Sequence, residues 1–132
     1  MTSAPSATTL PDRDPVIRVC TVIADANVYG DIFGGWLIGQ MDQGAGLISA
    51  RRTKGRAVTV AMDRMQFLSP VGVGDEVSIY GEIVRLGRTS LEIRMEAWRR
   101  ERHHEEATKV TEATFTFVAI DDAGRPRPIE QE

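Results

Sequence analysis

Cysteine, histidine and aromatic side chains are all scarce in this chain. A single cysteine, Cys20, stands among 132 residues. No intramolecular disulfide can form, and a lone thiol fits a reducing compartment. The two histidines, His103 and His104, are adjacent in a charged stretch. Neighbours on a strand point to opposite faces, which makes them a poor joint metal site and suggests a solvated pair. There is no HExxH, CxxC, GxSxG or P-loop, so metal, Ser-His-Asp and nucleotide-hydrolysing chemistries lose support. An excess of positive charge is missing too: 16 Lys and Arg stand against 19 Asp and Glu, for a net charge of −3. That balance argues against general nucleic-acid binding and leaves room for a local basic pocket. No apolar run approaches the roughly 20 residues of a membrane span. The opening Met1–Asp14 segment lacks the basic and apolar regions of a signal peptide and is expected to be a flexible arm. The expected location is therefore cytoplasmic.

What is present reads as one domain over residues 15–121, followed by an irregular tail over 122–132. Val16–Ile23 is rich in β-branched residues and predicts a strand. Ala24–Gly35 carries loop chemistry. Trp36–Arg52 predicts a helix, with Leu37, Met41, Ala45 and Ile48 on one face. Gly39, Gly44 and Gly46 cost that helix about 1 kcal/mol each against alanine, which suggests close approach of a neighbouring backbone. The pattern then changes to period two. Val58, Val60 and Met62 alternate, as do Met65 and Phe67, with a shift of parity that predicts a bulge near Asp63 and Arg64. Further strands run through Val77–Ile83, Leu91–Ala97 and Thr108–Ile120, the four later strands forming an expected antiparallel meander. One helix against a sheet with one apolar face gives a two-layer α+β domain.

The residues with chemical potential gather before and within the helix. Asp31 lies just ahead of the helix start, whose free N–H groups carry partial positive charge. Gly34 and Gly35 allow a ligand to approach that backbone closely. An oxyanion suits such a place, and an adjacent carboxylate can activate water or attack a carbonyl. By position alone Asp31 reads more readily as a helix-capping acid, with the glycines as a turn. Asp42 sits inside the helix at the flank of its apolar face beside Ser49, either as a perturbed acid or as a partly exposed one. Cys20 reads as buried filler. Arg51, Arg52, Lys54 and Arg56 complement the helix dipole. Arg64 and Arg88, near a bulge and a turn, could meet a phosphate.

Taken together, ADANVYGDIFGGWLIGQMDQGAG, VTVAMDRMQFLSPVGVGD and LGRTSLEIRMEAW resemble the YciA-type bacterial acyl-CoA thioesterases of the hotdog superfamily. The likeness runs from about Val16 to Ile120. It implies a long central helix wrapped by a five-stranded antiparallel sheet, and hydrolysis of acyl-CoA to CoA and a carboxylate with no metal or other cofactor. By resemblance Asp31 is the key carboxylate, and the Gly34 and Gly35 backbone polarises the thioester carbonyl. Asp42 approaches the site of a neighbouring subunit, and Asn27 shapes the loop. The pantetheine arm would pass Arg64, Met65 and Phe67 and the turn holding Arg88, Thr89 and Ser90. The resemblance also implies a homo-oligomer, a dimer at least and commonly a hexamer. The chain departs from the family pattern at Val28 and Tyr29, where a small or polar pair is usual.

Two rival readings share the fold. A hotdog hydratase or dehydratase needs a well-placed histidine, and both histidines lie far from the glycine loop in sequence. A non-catalytic acyl-CoA sensor could use the same pocket, but it gives Asp31 less purpose.

Overall fold

Period-two burial defines most of the sheet in the computed structural model, which describes residues 8–131. The elements are β1 (Ile17–Cys20), a single 3-10 turn (Ile23–Asp25), α1 (Gly34–Thr53), β2 (Ala57–Phe67), β3 (Glu76–Leu86), β4 (Ser90–Arg100) and β5 (Ala107–Ala119). All pairings are antiparallel, in the order β1-β3-β4-β5-β2. One face of this sheet wraps α1. Val77, Ile79, Leu91, Ile93, Met95, Phe115 and Phe117 meet Leu37, Met41 and Ala45 in a continuous core. The other face carries charge, including the Arg94–Glu112 and Lys109–Glu112 pairs. No helix among the described residues is long and apolar enough to cross a membrane.

The four-strand meander is corrected in one respect. β3, β4 and β5 are sequential neighbours, but β2 pairs with the far side of β5. The connection from β2 to β3, residues 68–75, therefore crosses three inter-strand steps. At about 4.8 Å each this is roughly 14 Å, well within the reach of eight extended residues. Val71 in that connection is buried, and its carbonyl accepts the Ile32 N–H at 2.9 Å. The crossover thus runs beneath the start of the helix and walls the site described below. It also leaves β2 as an edge with Val58, Val60 and Met62 exposed.

Several expectations on the helix and strands are refined. β2 has two register shifts: the expected bulge falls between Asp63 and Gln66, with Arg64 in the left-handed region at φ 58°, and another between Thr59 and Ala61 interrupts the Val58, Val60, Met62 alternation. Gly44 is closely packed, but by side chains: an added Cβ would lie 2.8 Å from Val16 Cγ1 and 3.3 Å from Ile79 Cγ2. Gly39 and Gly46 meet nothing within 4 Å. Cys20 is exposed instead of buried, because it takes the outward position in an edge strand of four residues. Of the expected flexible arm, residues 1–7 lie outside the described residues. The remainder is laid against the sheet: Ala107 N–H donates to Thr8 O at 2.7 Å, and Leu10 packs on Tyr80 and Trp98. The described part of the tail, residues 122–131, forms no helix or strand, yet it is not detached from the domain. Ile129 enters the core and its N–H donates to Arg88 O at 2.7 Å.

The outer face carries a pH dependence. The Lys109 ammonium hydrogen-bonded to Glu112, with Arg94 beside it, holds the Glu112 carboxyl below its ordinary range despite partial burial. A depressed acid stabilises the fold above its unfolded pKa, and that contribution disappears as pH falls through the folded value. Glu112→Gln is therefore expected to lower stability at pH 7 and to flatten the acid limb of stability below the ordinary Glu range. Urea unfolding of both proteins across pH 3 to 7 checks this.

Candidate active site

Asn27 organises the loop ahead of the helix. Its Oδ1 accepts the N–H groups of Tyr29 at 2.8 Å and Asp31 at 3.2 Å, an Asx-type turn. Gly30 provides the left-handed residue the turn requires, at φ 88°. Asp31 and Ile32 are then clamped by backbone bridges to Gly72 and Ala26, so the main chain is fixed while the Asp31 carboxylate stays exposed.

Asp31 is not a helix cap. The N-cap position is Phe33, and no side chain caps α1. The N–H groups of Trp36 and Leu37 close on the Phe33 carbonyl. Those of Gly34 and Gly35 have no protein acceptor among the described residues. A Cβ built on Gly35 meets nothing within 4 Å, so that backbone is open to a ligand. Two free donors at a positive helix end can receive an anionic or polarised oxygen.

A cavity of about 410 Å³ opens beside the first of these donors, Gly34. Asp31 and Gly34 line it together with Leu37, Phe67, Leu68, Pro70 and Val71. It offers an apolar wall with one carboxylate and a helix start at its rim. The Phe67 ring closes one side, its Cζ 3.3 Å from a Cβ built on Gly34. Gly34→Val is expected to displace that ring and block the approach to the helix start. Its kcat/KM should fall by about tenfold or more while melting temperature changes little, a pattern that steady-state kinetics beside a thermal melt would read.

Asp42 occupies a different environment. It is half-buried on the helix, and Thr59 Oγ1 on β2 donates to its Oδ1 at 2.6 Å. Thr59 was not among the residues singled out from sequence. Its only signal is a hydroxyl between Val58 and Val60 in an apolar alternation. From Gly34 to Asp42 is eight residues of helix, roughly 12 Å along the axis. Asp31 and Asp42 of one chain therefore do not converge on one carbonyl carbon.

The remaining expected residues divide between the two ends of the sheet. Met65 packs against the core and its Sδ accepts from Thr111 Oγ1 at 3.5 Å. Arg64 is exposed at the bulge near the pocket end of β2. The turn with Arg88, Thr89 and Ser90 lies at the opposite end, where Ser90 pairs with Val118 and Ala57 with Ala119. Ten residues of strand separate Ala57 from Phe67, roughly 33 Å. Within one chain this turn is not part of the Asp31 pocket. His103 and His104 line a separate surface cavity with Val73 and Gly74.

Comparison with known proteins gives the family. Residues 29–105 match the thioesterase superfamily. The chain is 51% identical over 116 residues to an uncharacterized acyl-CoA thioester hydrolase of Zymomonas mobilis, covering 88% of this chain and 78% of that one. It is 43% identical over 126 residues to the acyl-CoA thioester hydrolase YciA of Escherichia coli, covering 93% and 96%. Among solved structures, a hexameric thioesterase from Yersinia pestis superposes with a TM-score of 0.87 at 43% identity, covering 93% of this chain and all of that one. The chain belongs to the thioesterase superfamily, in its hotdog fold, and within it to the acyl-CoA thioester hydrolases.

Proposed function

We propose that this protein hydrolyses acyl-CoA to free CoA and a carboxylic acid, in a site completed by a second copy of the chain. The observation that carries the reading is the meeting of Asp31, the two free N–H groups of Gly34 and Gly35, and an apolar cavity of about 410 Å³. The acyl chain lies in the cavity and its thioester carbonyl oxygen points at the glycine donors. Asp31 takes a proton from water, whose oxygen attacks the carbonyl carbon. The tetrahedral oxyanion rests on the helix start until the C–S bond breaks, and the departing CoA thiolate takes up a proton. As a nucleophile, Asp31 would instead form a mixed anhydride that water then opens. Each oxyanion donor of this kind contributes about 10²–10³ in rate, and a general base about 10²–10⁴.

A second reading of the carboxylates has its own observation. The 2.6 Å bond from Thr59 fixes Asp42 on rigid elements, whereas the Asp31 carboxylate has no side-chain partner among the described residues. Asp42 of a neighbouring subunit then acts as the base or orients the water. Antiparallel pairing of two β2 edges would produce this arrangement, since it sets the start of one β2 beside the end of the other. It also carries the neighbour's Arg88, Thr89 and Ser90 toward the pocket end, where they and Arg64, Met65 and Phe67 would flank the CoA arm. Asn27 serves by holding the loop. The assembly proposed is at least a dimer and, as in the Yersinia pestis relative, a hexamer. No cofactor is required beyond CoA as part of the substrate. The cytoplasm is the proposed compartment, on the strength of the unpaired Cys20 thiol. The catalytic unit spans residues 15–121 with the docked tail.

Thiol release from acyl-CoAs between acetyl and palmitoyl tests the function. Release across part of that range is expected, with chain length limited by the cavity. Binding of the esters without release would favour a sensor, and hydration of crotonyl-CoA without release would favour a hydratase.

A further inference from the structure

Basic residues collect at the other end of α1. Arg51, Arg52, Lys54 and Arg127 line a cavity of about 230 Å³ between the helix end and the tail, with Glu130 as its sole carboxylate among the described residues. None of the ion pairs among the described residues involves these four cations. A helix C-terminus normally repels anions, because its last carbonyls face outward. Here two of the last four are occupied, Ala50 O by the Lys54 and Gly55 N–H groups and Thr53 O by Arg127, and Arg127 and Arg52 also tie down carbonyls of the neighbouring loop, strand end and tail. Arg127 donates to Thr53 O at 3.0 Å, Arg56 O at 3.2 Å and Ile120 O at 2.9 Å, and Arg52 donates to Glu130 O at 2.7 Å. Arg127 is thereby fixed in the wall with its charge in place. Arg51 and Lys54 remain exposed, and their side chains make no hydrogen bond to protein among the described residues. Lys54 is held in the left-handed cap at φ 57°, which sets the direction of its stem.

From this arrangement we propose that the cavity is a binding site for a phosphate-bearing anion. Its volume falls below the roughly 300 Å³ at which drug-sized ligand sites begin, so it suits a phosphate or pyrophosphate group with the rest of the molecule outside. The Arg51 guanidinium supplies a planar fork for two phosphate oxygens, and Lys54 a point charge. The helix between this cavity and Gly34 has 20 residues. That is roughly 30 Å, so the anion is remote from the reaction centre of the same chain. Two sources share this chemistry: the nucleotide phosphates of a CoA held at a neighbouring chain's reaction centre, and a free phosphorylated metabolite.

The test pairs calorimetry with kinetics on the full chain, comparing wild type with the double variant Arg51→Gln/Lys54→Asn. Neither residue packs in the core, and Asn accepts the left-handed cap, so the variant should melt with wild type. Titrated with inorganic pyrophosphate and with ADP, wild type is expected to bind, and the variant at least about tenfold more weakly. Thiol release then assigns the source. A raised KM for acyl-CoA with unchanged kinetics on acyl-pantetheine, which lacks the nucleotide phosphates, supports CoA as the occupant. An unchanged KM for both substrates alongside lost pyrophosphate binding supports a free ligand. If wild type binds neither probe, or the variant binds both as tightly, the site does not exist. The titration needs no acyl-CoA, so this outcome is independent of whether the protein is a thioesterase.

Discussion

Asp31→Ala is expected to lower kcat for acyl-CoA hydrolysis by about 10²–10⁴ while leaving KM close to wild type. Asp31 is exposed and its side chain supports no element of the fold. Its removal should therefore change stability by no more than about 0.5 kcal/mol, and a thermal melt will show that the lost rate is chemical. Asp42→Ala run beside it separates the two carboxylates. It deletes a hydrogen bond to Thr59, itself an exposed residue, so the fold should again survive. A loss confined to kcat in both variants is expected if the acids act together in one site. Full activity in Asp31→Ala with none in Asp42→Ala would transfer the base to Asp42 and reduce Asp31 to loop structure.

Val60→Lys is expected to abolish activity from a position that touches no substrate. β2 is an edge with unpaired backbone groups along one side, and Val60 is 56% exposed on it. Val58 and Met62 are also exposed along this edge strand. Such an edge invites pairing with another chain, and an edge lysine is a well-worn means of preventing it. The variant should sediment as a monomer, keep its circular dichroism, and lose about 99% or more of its thiol release if the site needs a second copy. An active monomer would show that one chain suffices.

Most of the core can be read in the sequence because it follows local rules. Leu91, Ile93, Met95 and Ala97 alternate in β4 and all are fully buried. Leu37, Met41 and Ala45 keep helical spacing and all face the sheet. Even the β2 bulge shows as a change of parity ahead of Met65. What sequence does not reveal depends on non-local placement. β2 joins β5 because the residue 68–75 crossover is drawn under the helix, a tertiary choice that period-two alternation cannot encode. The Thr59–Asp42 contact spans seventeen residues and exists only because that helix face lies over that strand. Cys20 follows the strand pattern, yet its edge position exposes it. The turn at Arg88–Ser90 lies far from Asp31 within one chain, and only a second copy can bring such a turn to the pocket.

A subunit-complementation assay tests most directly whether hydrolysis occurs in a site shared between chains. Asp31→Ala and Asp42→Ala proteins are unfolded together, refolded as a mixture, and assayed for thiol release from acyl-CoA. In mixed dimers one site carries both substitutions and the other carries neither. Random pairing makes half of the dimers mixed, so the mixture should recover about a quarter of wild-type activity. A mixture no more active than its two parents, from parents that are each inactive, would contradict a site built from Asp31 of one chain and Asp42 of the next.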